Sequence, residues 1–388
     1  MVKMGDWGGR NIAPYSTPSQ NHTSVGMSLI AAEIDSQFII ALGDNFYSYG
    51  ITTNVEDARF AQTWHSIYTE ASLQTPWYVC AGNHDHRGNV TAQIAYTAVS
   101  DIWEFPSLYH SKSFSSADGN VTVDIILIDT TNYTGVNSGN VYPSQVADPA
   151  QQAWIEAQLK GSTADYIIVA GHYPVYSVCS HGNTETLIVN LAPLLNQYGA
   201  HYMSGHDHCG EHIVMPGTSA NYWLNGMANG CCYQNTNMAD VPGEALLYLI
   251  ADTGPKKIDD DGIEVGVNGT IGGFSSVIAT STSMTVTYYN QNGTVLYTSS
   301  VPPRAEATAQ DDDGKDPTDG GGGSSSNSGL STGTVAAIVV GCFGVVALGG
   351  FAAYNYMSYS KRSAAGNGLE DSLLDNRKSS YDVSVNAI

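Results

Sequence analysis

Five short segments of the sequence place a side chain that can bind a metal directly after a glycine. They read GDWGG, GDNFY, GNHDH, GHY and GHDH, and their polar residues are carboxylates, an amide and imidazoles. The glycine allows a tight turn and a close approach of the backbone to a ligand. One such turn is common, but five in one chain are not expected by chance, so we interpret them as one site. The candidate residues are Asp6, Asp44, Tyr47, Asn83, His172, His206 and His208.

These seven side chains form a donor set large enough for two metal ions. If one carboxylate bridges the ions, seven groups provide eight contacts, which is four for each ion. Solvent would complete each coordination shell. A pair of metal ions held in this way suits in-line displacement at phosphorus. The donor set therefore predicts a two-metal phosphoesterase.

The five segments resemble the sequence blocks of metallophosphoesterases, and within that superfamily those of the small purple (tartrate-resistant) acid phosphatases. Two features carry the narrower resemblance. Tyr47 stands three residues after Asp44, and Gly8 occupies the place of the histidine in the usual first block, Asp-x-His. The stretch Pro76–Gln93 is also similar to the mammalian-type enzymes. The resemblance covers roughly residues 3–304.

The resemblance implies a role for each candidate residue. A phenolate is a hard anionic donor that suits Fe(III), whereas an amide oxygen with two imidazoles suits divalent Fe, Zn or Mn. His84 and His181 would act as catalytic residues that bind the phosphate or protonate the leaving oxygen. The implied ligands are Asp6, Tyr47 and His208 for Fe(III), Asn83, His172 and His206 for the second, divalent ion, and Asp44 as the bridge.

The resemblance also implies the reaction, which is hydrolysis of phosphate monoesters by a metal-activated hydroxide, an acid phosphatase activity. The expected substrates are small phosphomonoesters and phosphoproteins. Two alternatives stay open. One is another two-metal phosphoesterase, such as a nucleotidase or a phosphodiesterase, against which Tyr47 and Gly8 argue. The other is an inactive surface receptor on this scaffold, which would have little reason to keep every site residue.

Apolar segments of strand length alternate with helical patterns over about the first 250 residues, which predicts a layered α/β domain. Polar turns at the carboxyl ends of its strands can then converge on one crevice. Helices are predicted at Pro149–Lys160 and Glu185–Tyr198, and a polar loop between Thr131 and Pro149. The resemblance implies an α/β (α+β) fold in which two mixed sheets form a four-layer αββα sandwich. The predicted strands are Gln37–Leu42, Trp77–Ala81, Val121–Asp129, Tyr166–Ala170, Ala200–Met203, Ala245–Ile250 and a closing hairpin-rich group at Gly272–Ala279, Met284–Asn290 and Thr294–Val301.

The charge balance excludes one class of partner. The chain has 36 Asp and Glu residues against 14 Lys and Arg residues, a net charge of −22. Binding of nucleic acid over a broad surface needs clustered basic residues, so no nucleic-acid partner is expected. A small phosphorylated substrate can still bind where metal ions supply the positive charge.

The segment Val335–Tyr354 is uncharged, mostly apolar and about long enough to cross a bilayer. Lys361 and Arg362 follow it, so the positive-inside rule places the carboxyl terminus in the cytosol. We therefore expect a single-pass type I membrane protein whose catalytic domain is extracellular or lies in a lumen, such as an acidic vacuole. The expected segments are the catalytic domain 1–304, an acidic Gly/Ser-rich stalk 305–333, a transmembrane helix 334–357 and a cytosolic tail 358–388.

Two further features bear on export. The chain opens MVKMGDWGG without an apolar leader, so we expect the natural amino terminus to lie upstream. Sequons for N-glycosylation predict a glycoprotein. They begin at Asn21, Asn89, Asn120, Asn132, Asn268 and Asn292.

The cysteine pattern leaves the disulfide connectivity open. Of six cysteines, five precede the predicted membrane span, and an odd number leaves at least one thiol unpaired or paired between chains. Cys209 lies just after GHDH, and its candidate partners are Cys231 and Cys232.

Overall fold

The computed structural model describes residues 1–135, 147–251, 257–258, 264–265 and 271–304. They all belong to the unit Met1–Asp311. The predicted stalk 305–333, transmembrane helix 334–357 and tail 358–388 lie outside the described residues, as does most of the predicted loop between Thr131 and Pro149. No helix among the described residues is long and apolar enough to cross a membrane.

Strands and helices alternate through most of the described residues. The strands are β1 (Val2–Met4), β2 (Ile39–Leu42), β3 (Trp77–Cys80), β4 (Trp103–Glu104), β5 (His110–Ser115), β6 (Thr122–Leu127), β7 (Tyr166–Ala170), β8 (Ala200–Ser204), β9 (Gly210–Val214), β10 (Asn221–Asn225), β11 (Leu246–Ala251), β12 (Lys257–Ile258), β13 (Glu264–Val265), β14 (Gly273–Ala279), β15 (Met284–Asn290) and β16 (Val295–Val301). The α-helices are α1 (Pro18–Glu33), α2 (Val90–Ala95), α3 (Thr130–Tyr133), α4 (Pro149–Gly161), α5 (Glu185–Asn190) and α6 (Ala192–Tyr198).

The strands form two large mixed sheets. The first has the order β16-β15-β14-β1-β2-β3-β4, with β1 to β4 parallel and β14 to β16 antiparallel. The second has the order β11-β9-β10-β8-β7-β6-β5, and its parallel centre is β10, β8, β7 and β6. Strands β12 and β13 form a separate antiparallel pair. Both the α/β class and the closing hairpin-rich edge were predicted from the sequence and are confirmed.

Successive side chains of a strand point to opposite faces of its sheet. The side chains of the buried strands therefore contribute to three main hydrophobic cores. Ile40 and Leu42 of β2 pack with Ile168 of β7 in the cluster between the two sheets. Their neighbour Ile39 packs on the opposite face with residues of α1. Ile167 belongs to a third cluster that includes residues of α4, α5 and α6. Helices therefore cover the outer face of each sheet, and the strand ends between the sheets are left for a site.

The helices differ from the predictions in ways that have physical reasons. The sequence prediction did not include α1, whose composition is polar, although Thr17 caps it by accepting the N–H of Gln20. The predicted helical stretch Glu185–Tyr198 is confirmed in extent, but the structure divides it into α5 and α6. Pro193 lies in the first turn of α6, where its missing N–H is tolerated, and in a continuous helix it would remove a hydrogen bond.

Candidate dinuclear metal centre

The polar turns predicted from the sequence follow the parallel strands of both sheets. Because the carboxyl ends of these strands meet in one crevice, residues far apart in the sequence come into contact there. The structure brings all seven predicted ligands to this crevice. Asp6 follows β1, Asp44 and Tyr47 follow β2, Asn83 follows β3, His172 follows β7, and His206 and His208 follow β8.

One group of donors surrounds the hydroxyl of Tyr47. The Tyr47 Oη lies 2.8 Å from Oδ1 of Asp6 and 3.0 Å from Nε2 of His208. The same nitrogen of His208 lies 3.5 Å from Oδ1 of Asp6. The three donor atoms therefore form a small triangle made of a carboxylate, a phenol and an imidazole.

A second group of donors surrounds Nε2 of His172. This atom lies 3.1 Å from Oδ1 of Asn83, 3.2 Å from Nδ1 of His206 and 3.4 Å from Oδ1 of Asp44. Donor atoms of Asp6, Asp44 and His172 also lie within 4.8 Å of one another. Asp44 is thus adjacent to both groups, which is the place that a bridging carboxylate requires.

The chemistry of the second group fits a cation at its centre. Nδ1 of His172 lies 2.9 Å from the carbonyl oxygen of Leu42, so this nitrogen carries a ring hydrogen and Nε2 is the atom that faces the other donors. Its neighbours are the carboxylate of Asp44 and the amide oxygen of Asn83, both of which are acceptors, so a cation suits the space between them. Such separations are close to the edges of a coordination shell whose bonds are about 2.0–2.2 Å long. The residues present therefore fit a metal ion, and the triangle around Tyr47 fits a second one.

The electrostatics of the crevice also favour cations. Burial opposes the ionisation of Asp44, but His172 and His84 hold the pKa of its carboxyl well below the usual range. Burial and the negative charges of Asp44 and Asp6 raise the pKa of the Tyr47 hydroxyl well above its ordinary value. Tyr47 can therefore bind as a phenolate only where a strongly positive ion offsets these effects.

The backbone of the crevice is strained where it presents its ligands. Asp6, Asp44 and His206 have φ angles of 58°, 50° and 74°, in the left-handed region that non-glycine residues seldom occupy. Each such residue costs roughly 1–3 kcal/mol, and such strain concentrates at functional sites. A Cβ atom on Gly82 would overlap the carboxylate of Asp44, and one on Gly205 would overlap that of Asp6. The glycines thus permit the close approach that the sequence predicted.

The two predicted catalytic histidines lie on either side of the donors. Nε2 of His84 is 3.8 Å from Oδ2 of Asp44, and its side chain is 22% exposed. The imidazole of His181 stacks on that of His206, with 4.3 Å between the ring centroids. Both rings can therefore face a ligand bound at the crevice.

Sequence reasoning missed two residues beside the donors. Tyr233 stacks on His208, with ring centroids 4.5 Å apart and an angle of 4° between the planes, and its edge faces His181. Asp207 is buried, and its carboxylate accepts hydrogen bonds from Ser177 and from the backbone of His181. The position of Asp207 inside GHDH was a usable signal, whereas no motif marks Tyr233.

The cysteines pair differently from the candidates considered for Cys209. The structure joins Cys209 to Cys179, so neither of its candidate partners, Cys231 and Cys232, is the one bonded to it. The reason is that the loop before His181 packs beside the strand after His208. Cys231 and Cys232 pair with each other, and Cys80 is a buried free thiol.

Comparison with known proteins supports one family. Residues 23–210 match the calcineurin-like phosphoesterase family. The chain is 36% identical over 315 residues to tartrate-resistant acid phosphatase type 5 of Oryctolagus cuniculus, covering 79% of this chain and 91% of the relative. It is 34% identical over 224 residues to purple acid phosphatase 17 of Arabidopsis thaliana, covering 55% of this chain and 63% of that protein.

Among solved structures, the chain resembles the Plasmodium protein described as GAP50, the anchor in the inner membrane complex. The TM-score is 0.63 at 20% identity, covering 79% of this chain and 89% of that one, which supports a common fold. The two-sheet architecture, the donor turns and these similarities agree with the resemblance seen in the sequence. The chain belongs to the calcineurin-like phosphoesterases, and within them to the family of the tartrate-resistant and purple acid phosphatases.

Proposed function

We propose that the protein is an acid phosphatase that hydrolyses phosphate monoesters at a dinuclear metal centre. One observation carries the proposal, namely the position of the Tyr47 hydroxyl between Asp6 and His208 at distances of 2.8 and 3.0 Å. A phenolate in this position suits a trivalent iron ion, bound by these three residues and by Asp44. A divalent ion (Fe, Zn or Mn) would be held by Asn83, His172 and His206, again with Asp44.

When bound, the two ions supply Lewis-acid activation of water and neutralise charge on the phosphoryl oxygens. The chain itself supplies the proton transfers. Nδ1 of His84 lies 2.8 Å from the carbonyl oxygen of Ser48, which leaves Nε2 facing the crevice. There it can donate a proton to the leaving oxygen. His181 holds the phosphate from the opposite side, positioned by its stacking on His206.

The expected substrates are small phosphomonoesters and phosphorylated proteins. The net charge of −22 argues against a nucleic-acid partner, because few basic side chains are available for phosphate contacts outside the metal centre.

We further propose that the protein is a glycosylated, single-pass type I membrane protein with its catalytic domain outside the cytosol. The apolar segment Val335–Tyr354 supports the membrane span, and the sequons support export. Five of the six sequon asparagines lie in the described residues, and all five are exposed. An N-glycanase should lower the apparent mass of the full chain, and a carbonate wash should leave the chain in the membrane pellet. Release into the supernatant would contradict the anchor.

The activity is tested on the purified full chain by metal analysis, a visible spectrum and hydrolysis of an aryl phosphate, beside a Tyr47→Phe variant. We expect about two metal ions per chain and a charge-transfer band that the variant loses. A colourless protein that binds two ions and cleaves phosphate esters would favour another two-metal phosphoesterase. A chain that binds no metal and has no activity would favour the inactive receptor.

A further inference from the structure

Arg87 places a positive charge directly beside His84. Its Nη1 lies 3.0 Å from Nδ1 of His84 and 3.4 Å from the carbonyl oxygen of Ser48. The shorter contact of Nδ1, 2.8 Å, is to that same carbonyl oxygen, so the ring hydrogen is directed to Ser48. A guanidinium has five N–H donors, and most of those of Arg87 therefore stay available to a ligand.

No acidic side chain neutralises this guanidinium in the part of the chain that the structure describes. The ion pairs found there join His84 and His172 to Asp44, His86 to Asp129 and His208 to Asp6, and none includes Arg87. Arg87 is exposed, so solvent and solutes can reach its guanidinium. Its charge is therefore available to an anion.

The backbone that carries Arg87 is held in place from both sides. The buried carboxylate of Asp85 accepts the N–H groups of Gly82 and Asn45, at 2.8 and 3.1 Å. On the other side, a Cβ atom on Gly88 would overlap the carbonyl oxygens of the Tyr49 and Ile51 turn. The guanidinium thus extends from a rigid turn, which reduces the entropy lost when it binds a ligand.

The guanidinium lies beside the proposed metal centre. Nε2 of His84, on the far side of its ring from Nδ1, is 3.8 Å from Asp44, so Arg87 is one imidazole ring away from the centre. Burial raises the pKa of the Tyr173 hydroxyl well above its ordinary value, and the charge of Arg87 acts against that shift. Tyr173 in turn contacts His206, with ring centroids 4.5 Å apart. Because His84 is the proposed proton donor to the leaving oxygen, the guanidinium beside it lies where the alcohol part of a substrate would be.

We propose that Arg87 binds a second anionic group, a carboxylate or another phosphate, on the alcohol part of the substrate. The inference rests on the proposed phosphatase function and assigns it a substrate class, phosphate monoesters whose leaving alcohol is itself anionic. Guanidinium recognises both anions through paired hydrogen bonds. A neutral ester would bind the metal centre alone.

The test compares glycerol 3-phosphate, which has a neutral alcohol, with 3-phosphoglycerate, which has a carboxylate, and with 2-phosphonoethyl phosphate, whose second anion is a phosphonate. For the full-length, metal-loaded chain, kcat/KM of each anionic substrate is divided by that of glycerol 3-phosphate. Arg87→Leu should lower at least one ratio about tenfold, the usual size of a lost charged hydrogen bond. Arg87→Lys should retain part of the preference for the anionic substrate. Because each ratio comes from one preparation, a loss of metal or of active protein cancels.

Lys112→Leu is the matched control, since Lys112 is an exposed basic residue of β5 and should leave the ratios unchanged. A fall in the ratio for 3-phosphoglycerate alone, or for 2-phosphonoethyl phosphate alone, identifies whether Arg87 recognises a carboxylate or a phosphonate. Suppose that the unsubstituted chain and Arg87→Leu both hydrolyse glycerol 3-phosphate, and that each ratio of kcat/KM values is the same in the two proteins. The role of Arg87 is then overturned, and the phosphatase function stands. If the unsubstituted chain hydrolyses none of the three esters, the phosphatase function fails and the role of Arg87 fails with it.

Discussion

The carboxylate of Asp207 accepts a hydrogen bond from the backbone N–H of His181, with 2.9 Å between the two atoms. Its second oxygen accepts the hydroxyl of Ser177 at 2.6 Å. Asp207 stands between His206 and His208 in the sequence, so one residue joins the ligand turn to the loop that carries His181. Asp207 is therefore a positioning residue for that imidazole.

Ser177→Ala removes one of these two hydrogen bonds from the loop side and leaves the ligand turn unchanged. We expect kcat to fall severalfold while two metal ions stay bound, because His181 loses part of its support. Because the Ser177 hydroxyl also accepts the N–H of Cys179, stability should fall by about 2 kcal/mol, the usual net value of two hydrogen bonds. The measurement is kcat, KM and metal content, with Ser111→Ala as control, since the exposed hydroxyl of Ser111 donates a hydrogen bond to Gln158. An unchanged kcat would contradict the positioning role.

Glu211 makes stability depend on pH. Burial, and then the charge of Asp207, raise the pKa of Glu211 from 4.5 to about 8. Between these two values the folded chain holds a proton that the unfolded chain has lost. The free energy of unfolding therefore falls as pH rises through this window, by a few kcal/mol at most. The stabilisation is fully present only below about pH 4.5, which suits a protein that works in acid.

Glu211→Gln isolates this contribution, because the amide has the shape of the protonated acid and does not titrate. We expect the variant and the unsubstituted chain to have similar melting temperatures at pH 5 and the variant to be the more stable at pH 8. Thermal unfolding at several pH values measures the difference, in which the contributions of other groups cancel. A difference that does not change with pH would mean that Glu211 stays ionised in the folded chain.

The Cys179–Cys209 disulfide should contribute to stability through the loop that it closes. The two residues are 30 positions apart, which corresponds to about 3–4 kcal/mol of loop-closure entropy in the unfolded chain. A double substitution to serine should therefore lower the melting temperature by several degrees. The paired Cys231 and Cys232 are adjacent, so serine at both should have little effect by this mechanism. Equal losses in the two double variants would contradict the entropic account.

Most of the donor residues were predictable because they follow a glycine at the end of an apolar strand, and Tyr47 and His208 lie two or three residues further on. The residue types, and the order of the turns along the chain, were enough to select Asp6, Asp44, Asn83 and His172. The structure brings these four residues together. Strands such as β7 and β15 were predictable from their apolar runs in the sequence. In the structure, the side chains of β7 are buried continuously and those of β15 mostly alternate between buried and half-buried.

The supporting contacts were not predictable from local pattern. Tyr233 lies in a loop without a motif, and only the fold brings its ring onto His208. The contact between Arg87 and His84 likewise depends on the turn that carries both. Helix α1 was missed because its buried face includes polar residues such as Gln20 and Thr23, so no apolar stripe marks it, and it is held by its cap and by packing of Met27 and Ile30.

Gly82→Ala tests whether the close approach of backbone to ligand is needed for the metal centre. The added Cβ would overlap the carboxylate of Asp44, the residue adjacent to both donor groups. Asp44 must then move, and since it is the proposed bridge, both ions should bind more weakly. We expect metal content below one ion per chain and loss of nearly all activity.

Gly161→Ala is the control for the same chemical change. Gly161 is the last residue of α4, and a Cβ there meets nothing within 4 Å. Alanine should be neutral or stabilise the chain by up to about 1 kcal/mol, because the unfolded chain loses freedom. If Gly82→Ala kept both ions and its activity, the carboxylate of Asp44 would have room that the structure does not give it, and Asp44 would not be the bridge. Loss of metal in Gly82→Ala but not in Gly161→Ala would instead attribute the effect to the overlap with the carboxylate and backbone of Asp44.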